Sequence, residues 1–161
     1  MTKHFEKRMH FEISADELLE IMTDPAYIEL AEKAQGALEV TIKELSRTDQ
    51  AMVNEVKAKV YSRGLTGIDK SKTEINQTTN EWDLTARKSK WTLSTTHSER
   101  VRVWGAVRID ESGEHADLIP EVNVEVKIPL LGGKIEKYVG KEIEKSWPRY
   151  EQTIRDFIKT R

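Results

Sequence analysis

Cysteine is missing altogether from the 161 residues. The chain therefore makes no disulfide, no thiolate zinc or iron–sulfur site and no cysteine nucleophile. No apolar run approaches the roughly 18 residues of a membrane-spanning helix, so no integral membrane association is expected. The opening stretch from Met1 to Ser14 has no apolar core, so no signal peptide is expected and a cytoplasmic protein is the default. An excess of one charge sign is also lacking. Lys and Arg number 26 against 28 Asp and Glu, for a net charge of −2. A general nucleic-acid binder carries a basic excess, so no nucleic-acid partner is expected. Repeats, low-complexity tracts and linkers are absent, and the length suits a single domain over 1–161.

What is present is alternation. Phe5, Met9, Phe11 and Ile13 share one parity and His4, Glu6, Arg8, His10 and Glu12 the other, which is the pattern of a half-buried strand. Ser14-Ala-Asp-Glu17 is a capping box, so a short helix follows. Thr23-Asp24-Pro25 restarts a second short helix, with proline at its first position, and Gln35-Gly36 ends it. Strands then follow at about 38–43 and 52–60. The stretch 62–80 is polar and reads as a long loop, poised to act as a lid. Further strands are expected near 81–87, 89–96, 100–110 and 114–128. A turn at Ser112-Gly113 would place Glu111 opposite Glu114, Val107 opposite Leu118, Val103 opposite Val122 and Val101 opposite Val124. The same register sets Arg108 against Asp117 and Arg100 against Glu125. Pro120 cannot donate to a ladder, so a bulge or bend is expected there. A final helix from Leu131 to Lys159 carries Ile135, Val139, Ile143, Trp147, Tyr150, Ile154, Phe157 and Ile158 at helical spacing. Pro148 should kink or split it.

The expected order is strand, two short helices, six strands and one long helix. A meander with a single long apolar-faced helix must curve around that helix. The 62–80 segment, the His97-Ser98-Glu99 turn and the Pro129–Gly133 junction should then cluster at one open end. The space between sheet and helix is where a cavity for a small apolar ligand would form.

Three stretches carry a resemblance. They are Phe11-Glu-Ile-Ser-Ala-Asp16 leading to Thr23-Asp-Pro-Ala-Tyr27, Trp82 after the polar stretch, and Val126-Lys-Ile-Pro-Leu-Leu-Gly-Gly-Lys-Ile-Glu136. With the element order, they resemble the START-like (SRPBCC) superfamily, and most closely a branch known only as a domain of unknown function. The resemblance implies an α+β helix-grip fold. A seven-stranded curved antiparallel sheet would wrap around a long C-terminal helix, with two short helices between strands one and two. It supports a cavity but no particular reaction.

Parity then nominates the cavity lining: Met52, Asn54, Val56, Trp82, Trp91, Leu93, Val103, Val124 and Val126 from strands, and Ile135, Tyr138, Val139 and Glu142 from the long helix. Trp91 should lie over Gly105. Glu142 and Tyr138 lie near the inward stripe one turn apart, although Glu142 could instead turn outward to Lys145. A carboxylate in an apolar cavity could act as general acid or base. No nucleophile–base set is legible, so no catalytic residue is assigned. The four histidines do not converge. His4 and His10 sit on one strand roughly 20 Å apart, so no metal is expected, and no cofactor. Pro129-Leu-Leu-Gly-Gly-Lys134 lacks the spacing of a phosphate loop and reads as a tight turn. Trp104 shares its outward parity with Arg100, Arg102 and Arg108, a combination suited to cation–π packing and to a protein partner. Three functions stay open: a carrier of a lipid or aromatic metabolite, a cyclase or dehydratase built on the same cavity, and an interaction module with a filled core.

Overall fold

The computed structural model describes residues 2–64 and 67–161. The alternation around Phe5, Met9 and Phe11 yields two strands, β1 (Thr2–Glu6) and β2 (Met9–Phe11). Both pair antiparallel with β8 (His115–Val126) in one register, Glu6 opposite Glu121 and Met9 opposite Leu118. The break between them falls opposite Pro120. Lys7 donates its amide to the Pro120 carbonyl at 3.2 Å, and proline has no N–H to return. The irregularity expected at Pro120 thus appears in its partner, which is why the sheet has eight strands among the described residues rather than seven.

Ser14 caps α1 (Ala15–Thr23), its hydroxyl accepting from the Glu17 amide at 3.1 Å. Asp24 caps α2 (Pro25–Ala34) through the Ala26 amide at 2.9 Å. The meander follows as β3 (Glu39–Arg47), β4 (Ala51–Gly64), β5 (Gly67–Asp83), β6 (Lys88–Ser94), β7 (Val101–Ser112) and β8. Spatial order is β1-β8-β7-β6-β5-β4-β3, with β2 also on β8, and every pairing is antiparallel.

Two expectations are corrected here. The 62–80 stretch is not a loop but the end of β4 and most of β5, paired from Val60 opposite Glu74 to Asn54 opposite Asn80. Trp82 therefore lies near the end of a strand, not at its start. Leu65 and Thr66, which also fall in the expected loop, lie outside the described residues. The β5 pattern hid itself because its inward side chains, Asn76, Thr78 and Asn80, are as polar as its outward ones. The β7–β8 register is also two residues away from expectation. Ser112 pairs His115, so Val107 faces Pro120, Val103 faces Val124 and Arg102 faces Glu125. Gly113 takes the first turn position with φ 65°, a conformation glycine supplies without penalty. A slip of two preserves which face each residue takes, so the inward set survives.

The last helix, α3 (Gly132–Lys159), continues unsplit through Pro148. Its first half lies close against β1 and β8. A Cβ on Gly140 would sit 2.7 Å from the Phe5 ring, so glycine is what permits that approach. The closed end of the interior is packed solid by Met9, Phe11, Leu18, Ile21, Met52, Leu118 and Ile154. Among the described residues, no helix is long and apolar enough to cross a membrane.

Candidate functional site

Beyond that packed end, the strands β4 to β6 curve away from the helices and leave a cavity of about 820 Å³. Its floor is polar. Asn80 donates its side-chain amide to Asn54 at 2.8 Å, and both line the cavity beside Ser89 and Trp82. Its walls are Val56, Ala58 and Val60 on one side and Trp91, Leu93 and Val122 on the other. Its roof comes from α2, through Tyr27, Ile28, Ala31 and Glu32, and from α3, through Ser146, Trp147 and Tyr150. The spacing of Tyr27 with Ala31 and of Ile28 with Glu32 is one helical turn, which puts them on adjacent rows of one helix face. Arg63 and Ile68, from the two arms of the β4–β5 hairpin, also line it and mark its mouth.

The polar groups in the roof are partly or wholly buried. Tyr27 is 3% exposed and its hydroxyl has no hydrogen-bond partner among the described residues. Tyr150 faces it without the geometry of a hydrogen bond. Burial, then the neighbouring Tyr150 and Glu32, push the Tyr27 pKa well above the usual phenol value. Burial raises Tyr150 likewise. Burial also raises the Glu32 carboxyl above the ordinary carboxylate range. Both phenols therefore stay protonated at neutral pH and are hydrogen-bond donors in waiting. Asn76 adds a buried carbonyl oxygen with no partner among the described residues.

Among the residues nominated by parity, Asn54, Val56, Trp82, Trp91 and Leu93 line this cavity together. Trp91 lies over Gly105, whose added Cβ would meet its ring at 2.6 Å. The others are placed elsewhere. Met52 belongs to the packed end, 1% exposed. Val103, Val124 and Val126 face inward but not onto the cavity, because α3 lies against that side of the sheet and Gly132 sits over Val126. Ile135 and Val139 are half-buried on that first half of α3 and do not line the cavity either. Tyr138 is 41% exposed, since the buried face passes through Glu136, Gly140 and Ile154 and leaves residue 138 on the far side. Glu142 turns outward, 3.8 Å from Lys145 and 3.9 Å from Arg63. The acidic residues that do line the cavity are Glu32, Glu74 and Glu121, and Glu32 does so from the roof with Tyr27, Trp147 and Tyr150. The signal for Glu32 was available in the turn spacing within α2, but nothing in the sequence says which face of α2 meets the sheet.

Part of the cluster expected at the open end is seen: β5 meets the turn after β6, and that turn meets the chain after β8. Thr96 Oγ1 donates to Glu74 at 3.1 Å, His97 lies 3.7 Å from the same carboxylate, and the Lys127 amide donates to the Arg100 carbonyl at 2.7 Å. On the outer face, the Arg102 guanidinium stands 5.1 Å from the Trp104 ring centre and 3.6 Å from Glu125. Arg108 reaches Glu121 at 3.2 Å, so acids neutralise part of that arginine row. His4, Glu6 and Glu121 offer ligand atoms within 4.8 Å of one another on the solvent side of β1 and β8. Arg108 already engages Glu121, and the His4 Nδ1 engages Asn123 at 2.7 Å.

Three solved structures share this architecture. A START superfamily protein from Mycobacterium smegmatis has a TM-score of 0.59 at 16% identity, covering 96% of this chain and 98% of the other. The Zhui aromatase/cyclase from a Streptomyces species has a TM-score of 0.64 at 13% identity, covering 96% and 92%. Norcoclaurine synthase from Thalictrum flavum has a TM-score of 0.63 at 11% identity, covering 98% and 87%. At these identities the likeness establishes the START-like helix-grip fold and no more. No curated protein matches the sequence. A family model described as Protein of unknown function (DUF2505) matches residues 6–158.

Proposed function

We propose that this chain, which belongs to the DUF2505 family of proteins of unknown function, binds one small, mainly apolar molecule between the sheet and the helices α2 and α3. The observation that carries the reading is the cavity: about 820 Å³, inside the range of small-molecule sites. Val56, Trp82, Trp91, Leu93 and Trp147 offer apolar surface, and burial against it contributes roughly 25 cal/mol per Å². Tyr27 and Asn76 add a donor and an acceptor that have no protein partner among the described residues. Asn54, Asn80 and Ser89, which line the same cavity, are the partners that a ligand's polar handle would meet. The ligand class is thus an aromatic metabolite or a short lipid with one polar handle, rather than a fully hydrocarbon molecule.

Native mass spectrometry of the purified chain, repeated after denaturing extraction, tests this. The expected result is an extra mass that disappears on denaturation. A bare chain that also gains no thermal stability from a panel of hydroxylated aromatics and fatty acids would sink it.

One observation favours a second reading, an enzyme of cyclase or dehydratase type. Glu32 is a carboxyl with a raised pKa inside the same cavity as two protonated phenols. A carboxyl whose protonated form is favoured by burial is suited to a proton-transfer role. The aromatase/cyclase and the norcoclaurine synthase carry enzyme names on this fold. Glu32→Gln is the discriminating variant. A carrier keeps its ligand with a modest change in affinity, whereas an enzyme keeps binding and loses turnover.

A further inference from the structure

The first half of α3 presents an unusual outer face. Lys134, Lys137, Tyr138, Lys141 and Lys145 follow one another at offsets of three, four, seven and eleven residues, so they stand on one stripe about 100° wide. All five are exposed. Lys134, Lys137 and Lys141 make no ion pair among the described residues, while Lys145 is 3.8 Å from Glu142. The chain just before the helix adds exposed apolar side chains at the end where the stripe begins. Leu130 is fully exposed and Leu131 is 43% exposed. Leu130 also holds a φ of 66°, a left-handed conformation unusual for leucine.

A stripe of lysines is commonly a solvated face, and a lone exposed leucine needs no explanation. The combination differs from either. Two leucines precede the row, an amphipathic tyrosine sits inside it, and at least three of its four lysines have no ion-pair partner among the described residues. The stripe forms a convex ridge rather than a groove, which suits a planar partner better than a peptide. The whole chain is slightly acidic, at −2, so this patch is a local concentration and not a reflection of overall charge.

We infer that this face of α3, led by Leu130 and Leu131, docks the protein on an anionic lipid surface. The leucines would enter the boundary between headgroups and acyl chains, Tyr138 would sit at headgroup level, and the lysines would meet lipid phosphates. The mouth of the cavity stands beside this face, because Arg63 at the mouth reaches Glu142 on α3 at 3.9 Å. Docking therefore does not bury the entrance on the far side of the molecule. The inference stands on the surface alone and survives if the cavity proves to bind nothing.

Co-sedimentation of the full chain with vesicles tests it. Phosphatidylcholine vesicles are compared with vesicles that also contain phosphatidylserine. The expected result is sedimentation with the anionic vesicles only, weakened by added salt. Each lysine near the surface contributes about a fivefold change in partitioning, so the triple variant K134E/K137E/K141E should lose binding. The triple arginine variant should retain it, and Leu130→Asp should weaken it while circular dichroism stays that of the parent. Failure to sediment with anionic vesicles, or binding that the triple glutamate variant keeps, overturns the inference. Binding to soluble polyglutamate as strongly as to vesicles, unaffected by Leu130→Asp, also overturns it by identifying an acidic protein surface as the partner.

Discussion

A single β-carbon decides whether the sheet can close over Trp91. At Gly105 an added Cβ would run into the Glu121 backbone carbonyl and the Trp91 ring at once. Gly105→Ala is expected to cost about 1–3 kcal/mol, read as a fall in the urea midpoint. Gly133, with nothing within 4 Å of its virtual Cβ, is the matched control, and Gly133→Ala should stabilise by about 0.4–1 kcal/mol. Charge placement is as local. Burial holds the Glu32 carboxyl above its ordinary range, so the folded chain binds that proton more tightly than the unfolded chain. Ionising Glu32 then costs stability. The penalty begins as pH rises past the unfolded value and is complete above the folded one. Glu32→Gln should be more stable than the parent at neutral pH, with the difference shrinking as pH falls through the carboxylate range. Asp117 has the opposite sign. Hydrogen bonds from His10 and then Arg8 lower its pKa, so it contributes stability above the unfolded value that is lost as pH falls through the folded one. Asp117→Asn should therefore destabilise at neutral pH and cease to matter in strong acid. Denaturant midpoints across pH measure both.

At the scale of elements, proline explains two departures from regularity. Pro120 withholds one ladder hydrogen bond and splits the edge into β1 and β2. Pro148 withholds one helical hydrogen bond from the Glu144 carbonyl, yet α3 continues around it. Its neighbours Ser146, Trp147, Arg149 and Tyr150 all line the cavity, so the weakest turn of α3 is the one that roofs it. Pro148 is exposed and its backbone is already helical. Pro148→Ala should raise the thermal midpoint, with a gain of up to about 3 kcal/mol, the intrinsic cost of proline in a helix interior. No gain would mean that the Glu144 carbonyl is satisfied in another way.

For the whole molecule, the main fact is an interior divided in two. One end is packed by Phe11, Leu18, Met52 and Ile154, and the other is open over β4 to β6. Three of the four tryptophans, Trp82, Trp91 and Trp147, line the open part, while Trp104 stands outside against Arg102. An apolar fluorescent probe such as anilinonaphthalene sulfonate should quench most of the tryptophan emission with a single saturating phase. Trp104→Phe should leave that quenching in place. At a probe concentration of about 100 Kd, stability should rise by about 2.7 kcal/mol, visible as a shift in thermal midpoint. Tyr27→Phe should leave the empty protein as stable as the parent, since the lost hydroxyl has no hydrogen-bond partner among the described residues, but should weaken any ligand that uses it.

The parts of this fold that depend on neighbours in sequence were legible in the sequence. Ser14 and Asp24 cap their helices because a cap needs only residues two or three positions away. Which face each strand residue takes is set by period two, so Trp91 over Gly105, and Asn54 and Val56 on the inward side, could be read directly. Element order, with the Val126–Glu136 stretch, sufficed for the helix-grip fold. What stayed hidden depended on contacts distant in sequence. Strand β5 was masked because a polar cavity removes the apolar signal from its inward residues. The β7–β8 register was decided by which residue takes the left-handed turn position. Position along a strand separates Met52 in the packed end from Asn54 in the cavity, and parity is blind to it. The rotation of α3 that brings Gly140 onto Phe5 sends Tyr138 and Glu142 to the surface. Its counterpart, the face of α2 that carries Glu32 inward, exists only once the sheet has curved around both helices.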